Sequence, residues 1–178
     1  QYFAGIEKLG RLKASFEWNS IPLFNSADTR TLYSQPSTGV FRLDDSIQSG
    51  IQAGTATLAN FTAQAVPFDL RSRRDVARVK LTVTPTRHTD LTLNVTTTNR
   101  TGAQQWGGGF SFSNVIEIPA PIQHRTTDVD TGAEWASSRG MARIGYAGSW
   151  FNDRVPTLVF DNPLRLTDTA TATSQGQI

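Results

Sequence analysis

The chain has 178 residues, with 17 Lys and Arg against 15 Asp and Glu, a formal net charge of +2 and no cysteine. The missing cysteines exclude disulfides, thiolate metal sites, cysteine nucleophiles and covalent attachment of c-type haem within these residues. No run reaches the roughly 18 consecutive apolar residues of a transmembrane helix, and the scattered basic residues form no stripe of the kind that nucleic acid requires, so no nucleic-acid partner is expected.

The first predicted element runs from Gly10 to Trp18. Leu12, Ala14, Phe16 and Trp18 alternate with Arg11, Lys13, Ser15 and Glu17, which gives a strand one apolar and one polar face. A long loop is expected from Asn19 to Asp75. Inside it Asp44-Asp45-Ser46 has the composition of a helix cap, and Ile47, Ile51, Leu58, Phe61 and Ala65 fall near one helical face before Pro67. Gly50, Gly54, Thr55 and Thr57 weaken that pattern, so a helix from Ser46 to Ala63 and an irregular loop both fit. Arg71-Ser72-Arg73-Arg74 reads as a solvated loop base, with a lipid head-group or partner contact as the alternative.

A hairpin follows. Ala77, Val79, Leu81, Val83 and Pro85 alternate with Arg78, Lys80, Thr82, Thr84 and Thr86; after a turn at Arg87-His88-Thr89-Asp90, Leu91, Leu93 and Val95 alternate with Thr92, Asn94 and Thr96. A second long loop is expected from Thr98 to Thr127, holding Trp106-Gly107-Gly108-Gly109-Phe110 and the proline-bearing Ile116 to Ile122. The glycine triplet lacks the Lys-Ser/Thr of a phosphate cradle and reads as a turn. The second hairpin sets Val129, Thr131, Ala133 and Trp135 against Asp128, Asp130, Gly132 and Glu134. It turns at Ala136 to Gly140 and returns through Ala142, Ile144, Tyr146, Gly148 and Trp150, with Arg143 and Ser149 on the other face. The apolar segment Val155 to Leu166 is expected to fold back on a neighbouring loop, with Asp161-Asn162-Pro163 as a turn.

Short turns at one end of the strands and long loops at the other are the signature of a transmembrane β-barrel. Each predicted strand has the ~9–11 residues a tilted strand needs to cross a bilayer. A soluble sheet with one wet face shows the same alternation. Three details favour the membrane: Trp residues at strand ends, modest apolar side chains at strand centres, and loops longer than compact soluble domains use. The expected fold is all-β, an antiparallel transmembrane β-barrel segment of about five strands with short periplasmic turns, long extracellular loops and one short helix. About five strands cannot close a barrel, so residues 1–178 are expected to be an internal segment of one barrel domain.

In that arrangement Arg11, Lys13, Glu17, Arg78, Lys80, Asn94, Asp128, Asp130, Glu134 and Arg143 line the lumen, while Trp18, Trp135, Tyr146 and Trp150 form aromatic girdles. Mixed charges can pair across strands and select no single ion. His88 in its turn and His124 in a proline-flanked loop share no motif. Asp128, Asp130 and Glu134 lie nearly 7 Å apart along one strand face, too far to hold calcium without further ligands. No convergent nucleophile, base and oxyanion donors can be named, so no enzyme is expected.

Gly39 to Arg74, with Arg42-Leu43-Asp44-Asp45-Ser46-Ile47-Gln48 and Pro67-Phe68-Asp69-Leu70-Arg71, resembles the MtrB/PioB family of decahaem-associated outer-membrane β-barrels. The strand from Val79 with its short turn and Phe160-Asp161-Asn162-Pro163-Leu164-Arg165 share the resemblance. It covers part of such a barrel, and the family's N-terminal cysteine motif is not in these residues. The resemblance implies a non-catalytic sheath in the bacterial outer membrane that houses a periplasmic multihaem c-type cytochrome for electron transfer. The haem is then carried by the partner and not by this chain. Outer-membrane lipid, and an extracellular cytochrome at the long loops, are further implied partners. Two other readings compete: a general porin or transporter, and a soluble β-sandwich binding module with Trp106 or Trp135 as a stacking platform for carbohydrate.

Overall fold

The computed structural model describes residues 1–110, 114–163 and 175–177. In chain order the elements are β1 (Tyr2–Lys8), β2 (Leu12–Thr31), β3 (Tyr33–Ser37), β4 (Val40–Leu43), α1 (Asp45–Gln52), a short 3-10 helix (Leu58–Gln64), β5 (Val66–Thr86), β6 (Thr89–Phe110), β7 (Asn114–Ser137), β8 (Gly140–Asp153), β9 (Val159–Asp161) and β10 (Gln175–Gln177). One six-stranded sheet has the order β1-β2-β5-β6-β7-β8, and a four-stranded sheet has the order β10-β9-β4-β3. The all-β, mostly antiparallel expectation holds; among the described residues the large sheet is open and does not close on itself.

The strands are much longer than the alternation indicated. β2, β5, β6 and β7 span 20, 21, 22 and 24 residues, so most of both expected long loops is strand. Ile116, Ile118, Ala120 and Ile122 alternate as buried residues in β7, a pattern obscured by Pro119 and Pro121. A proline in a strand removes a ladder donor and is confined to unpaired edges. The β7–β8 register begins at His124↔Asp153, so both prolines lie on a stretch of β7 beyond that pairing. Pro22 stands likewise beyond the β1–β2 register, which ends at Tyr2↔Trp18. His124 and the Arg71–Arg74 cluster therefore lie on strands and not in loops. β1 extends the expected set of strands: its alternation is blurred by Phe3 on the polar face, and Gly10, at φ 67°, closes its turn.

The chain divides into two compact units. The first comprises Gln1–Pro22, Arg73–Thr101 and Gln123–Asp153. Of its described apolar side chains Val76 alone is buried, whereas Ile6 and Ile144 are 65% and 74% exposed. The second comprises Leu23–Ser72, Gly102–Ile122 and Arg154–Ile178, and it has a conventional core of Tyr33, Phe41, Leu43, Ile47, Ile116, Ile118 and Phe160, with Trp106 packed against it. The Trp106 and Phe160 rings lie 5.6 Å apart.

The helical stretch in the second unit is real but interrupted. Asp44 caps α1 by accepting from the Ser46 amide at 2.9 Å, which satisfies one of the donors that a helix start leaves open. These hydrogen bonds, chiefly from the Ser46 hydroxyl and amide, hold the Asp44 carboxyl below its ordinary pKa. Gly54, at φ 68°, then ends the helix in the left-handed conformation that glycine adopts without penalty. The 3-10 helix restarts at Thr57, whose amide donates to Asn60 at 2.7 Å. Ile47, Ile51 and Phe61 still converge on the core. The segment after β8 also folds back as expected: β9 pairs parallel to β4 through Val40↔Val159 and Phe41↔Phe160. Its residues from Leu164 to Leu166 lie outside those described.

Candidate functional site

The first unit presents two unlike faces, and the register fixes which residues share each. In β1 and β2, Ile6↔Ala14, Ala4↔Phe16 and Tyr2↔Trp18 occupy one face, while Glu7↔Lys13 and Phe3↔Glu17 occupy the other. In β7 and β8, Trp135↔Ala142, Ala133↔Ile144 and Thr131↔Tyr146 are apolar-side pairs, and Glu134↔Arg143 and Asp128↔Ser149 are polar-side pairs.

On the polar face, side chains meet across strands. The Arg78 guanidinium lies 3.2 Å from Glu17. Asn94 donates to Asp130 at 3.1 Å, and Ser149 donates to Asp128 at 2.6 Å. Glu134 stands opposite Arg143, and the period of two places Lys80 with Arg78 and Lys13 with Glu17. Nine of the ten expected lining residues thus share the polar face; Arg11 is instead in the β1–β2 turn, where its carbonyl accepts from the Thr84 amide at 2.8 Å. A depression of about 370 Å³ opens on this face beside Asn94, Thr96, Asp128, Asp130 and Ser149. The half-exposed Arg78–Glu17 ion pair is worth only ~0–1 kcal/mol, so it shapes the wall more than it stabilises it.

The opposite face carries the expected aromatics. Trp135, Tyr146 and Trp150 are 46%, 59% and 53% exposed, and Tyr2, Phe16, Val79 and Leu91 are exposed with them. From the register of Trp135↔Ala142 to that of Thr127↔Trp150 the chain advances from Ala142 to Trp150, about 27 Å of extended strand. At a tilt of ~35–45° that length spans about 19–22 Å along the barrel normal, most of the apolar band of an outer-membrane barrel, about 25 Å tall. Gly148 sits between Tyr146 and Trp150, and a methyl group there would come within 2.8 Å of the Trp150 ring and 2.9 Å of the Tyr146 hydroxyl. Both rings therefore lean over the glycine. Its position in an i, i+2, i+4 aromatic–Gly–aromatic run is the sequence signal that could have revealed this. Each large side chain withdrawn from water on such a face contributes ~1.5–3 kcal/mol. A patch this continuous marks a surface that something apolar covers.

The histidines do not converge. The His88 ring Nδ1 lies 2.8 Å from the Ala136 carbonyl oxygen, and the His124 ring packs on Phe151 at 5.4 Å. Among the described residues no group of three His, Cys, Asp or Glu is placed to hold a metal.

Two of the strings that carried the family resemblance, Arg42 to Gln48 and the one that begins at Phe160, come together in the second unit. Asp161 accepts from Arg42 at 3.1 Å and from the Leu43 amide at 2.9 Å. The Tyr33 hydroxyl donates to the Asp161 carbonyl at 2.9 Å, and Gln48 donates to the Asn162 carbonyl at 2.9 Å. Residues far apart in sequence thus form one clasp, its hydrogen bonds buried at Tyr33 and Leu43 and partly buried at Arg42 and Gln48.

No curated protein matches the chain significantly. Residues 2–178 match the protein family described as "Putative outer membrane beta-barrel porin, MtrB/PioB". With an apolar face fit for lipid, a polar face behind it and this match along its length, the chain belongs to the MtrB/PioB family of outer-membrane β-barrel porins and has its place in the bacterial outer membrane.

Proposed function

We propose that this chain forms part of the wall of a non-catalytic sheath that houses a periplasmic multihaem c-type cytochrome and lets electrons cross the outer membrane. The observation that carries the reading is the polar face of the first unit, where opposite charges are matched within the wall: Glu17 with Arg78, Glu134 with Arg143 and Glu7 with Lys13. A wall neutralised in this way creates little field to select a solute ion, and its amides, hydroxyls and charges offer hydrogen bonds to a protein surface. The chain has no cysteine to attach c-type haem, so the redox groups belong to the partner. The barrel contributes insulation and a docking wall.

A general porin or transporter is the second reading, favoured by the depression beside Asn94, Asp128 and Asp130. Purification of the full-length protein from membranes in mild detergent separates the two. A stoichiometric c-type haem Soret band in the purified complex supports the sheath. A well-folded barrel without haem that conducts solutes through a planar bilayer refutes it in favour of the pore.

A further inference from the structure

The tight-turn end of the first unit carries a row of cations for which the sheath has no use. The turns joining β1 to β2, β5 to β6 and β7 to β8 contain Arg11, Arg87 and Arg139, all exposed. None of the three forms an ion pair among the described residues. The turns are neighbours: Arg11 accepts from the Thr84 amide near the end of β5, and the Ala136 amide donates to the His88 carbonyl at 2.8 Å. Each hairpin is two strands wide, so the arginines repeat at about 10 Å. That is comparable to the Debye length at physiological salt, about 8 Å, so their fields overlap. Lys8 adds a fourth cation. Asp90 is the nearby carboxylate, and it accepts from the Thr84 hydroxyl at 2.6 Å; Glu7 and Glu134 face Lys13 and Arg143.

Apolar side chains border this cationic row. Leu9 at the first turn is 88% exposed, and Trp135 lies on the apolar face, separated from the last turn by two residue pairs, Ala136↔Met141 and Ser137↔Gly140. A free anion gains nothing from Leu9 or Trp135, whereas a lipid offers a phosphate to the arginines and acyl chains to the apolar face. Indole rings favour this interfacial level, and guanidinium binds phosphate oxygens in bidentate fashion. In barrels of this kind short turns face the periplasm, where the leaflet consists of glycerophospholipids.

We propose that Arg11, Arg87 and Arg139 form a rim that binds the phosphates of anionic glycerophospholipids in the periplasmic leaflet, fixing the depth of the barrel in the membrane. The inference rests on the membrane placement of the chain and not on the cytochrome.

The test uses the full-length protein in an uncharged detergent, titrated with phosphatidylglycerol or phosphatidylcholine, with bound lipid counted by native mass spectrometry. Phosphatidylglycerol binds in preference. Arg11→Gln, Arg87→Gln and Arg139→Gln together weaken it on the order of a hundredfold, about fivefold per cation removed, while the three Arg→Lys changes retain most of the affinity. Wild-type-like binding by the Gln variant overturns the proposal, as does displacement of the lipid by equimolar inorganic phosphate. A Gln variant that keeps the lipid but loses a co-purifying protein shows a protein-docking rim instead. If the Gln variant fails to fold, as judged by heat-modifiable gel migration, salt decides on the wild type. Roughly 0.5 M NaCl screens to about 4 Å and must release the lipid, and retention refutes the rim. Recovery of the native protein in the soluble fraction would refute the membrane placement itself, independently of the lipid titration.

Discussion

Asp161 is the residue whose loss the second unit should feel most locally. Its side chain is 11% exposed and accepts from both Arg42 and the Leu43 amide, and Leu43 is itself 3% exposed. In Asp161→Ala the Leu43 N–H loses its acceptor in a buried site, at a cost of ~1–3 kcal/mol. The charge-assisted bond from Arg42 adds less, because the Arg42 side chain is 35% exposed and water replaces much of what it loses. The sum is ~1–4 kcal/mol, which corresponds to roughly 5- to 1,000-fold faster exchange of the Leu43 amide if exchange proceeds by local opening of the clasp. Hydrogen exchange with mass spectrometry on the detergent-solubilised protein reads this directly in peptides covering β4 and β9. Arg42→Gln should accelerate the same peptides by less than about tenfold. If Leu43 protection changes less than threefold in Asp161→Ala, or if Arg42→Gln is the more damaging change, the clasp does not hold β4 to β9 as argued.

Gly102, at φ 128°, lies so close to β5 that a methyl group would collide with the Arg71 carbonyl and come within 2.7 Å of the Ser72 Cα. Gly102→Ala should therefore cost ~3 kcal/mol or more by combining backbone strain with a clash against main chain, seen as loss of the heat-modifiable folded band; normal folding would contradict the close approach. The Asp44 carboxyl is held below its ordinary pKa, so its capping contribution is complete above the ordinary value and disappears as pH falls through the lowered one. Amides of Ser46 and Ile47 should lose protection in that acid range in the native protein and at neutral pH in Asp44→Ala, and pH-independent protection would exclude the cap. In bilayers containing brominated lipids, single-Trp variants retaining Trp135 or Trp150 should be quenched strongly, and one retaining Trp106, which packs on Phe160, weakly. Equal quenching at all three positions would contradict the assignment of the apolar face.

Alternation was a sound guide wherever one side of a strand met an apolar medium and the other met polar groups. Lys13 and Glu17, Arg78 and Lys80, and Asp128 to Glu134 share the polar face because successive side chains on a strand must point opposite ways, a local rule that needs no partner. The short turns were legible for a related reason, since Arg87-His88 and Ser138-Arg139 interrupt two clean alternating runs. Where strands continued into the second unit the rule lost its force. Asn19 to Thr31 and Gly107 to Phe110 are strand because their backbone groups pair with neighbours, and side-chain period carries no record of such pairing. Ile116 to Ile122 did keep the period, yet its prolines suggested a loop. Only the pairing shows that they stand where no β8 residue asks for a donor.

The sequence by itself determined the all-β class, the two-faced character of the first unit, and which polar residues share one face and which aromatic rings share the other, because each follows from local periodicity and residue chemistry; the longer strands put Trp18 inside β2 and Tyr146 at the middle of β8 and not at strand ends. Tertiary structure alone decided the rest. It set the lengths of the strands, split the helix at Gly54, joined Arg42, Leu43 and Gln48 to Asp161 and Asn162, and moved Arg11 from the wall to a turn that sits beside Arg87 and Arg139. Those features depend on which backbones lie side by side, and that is a matter of contacts between residues distant in the chain, which no local pattern encodes.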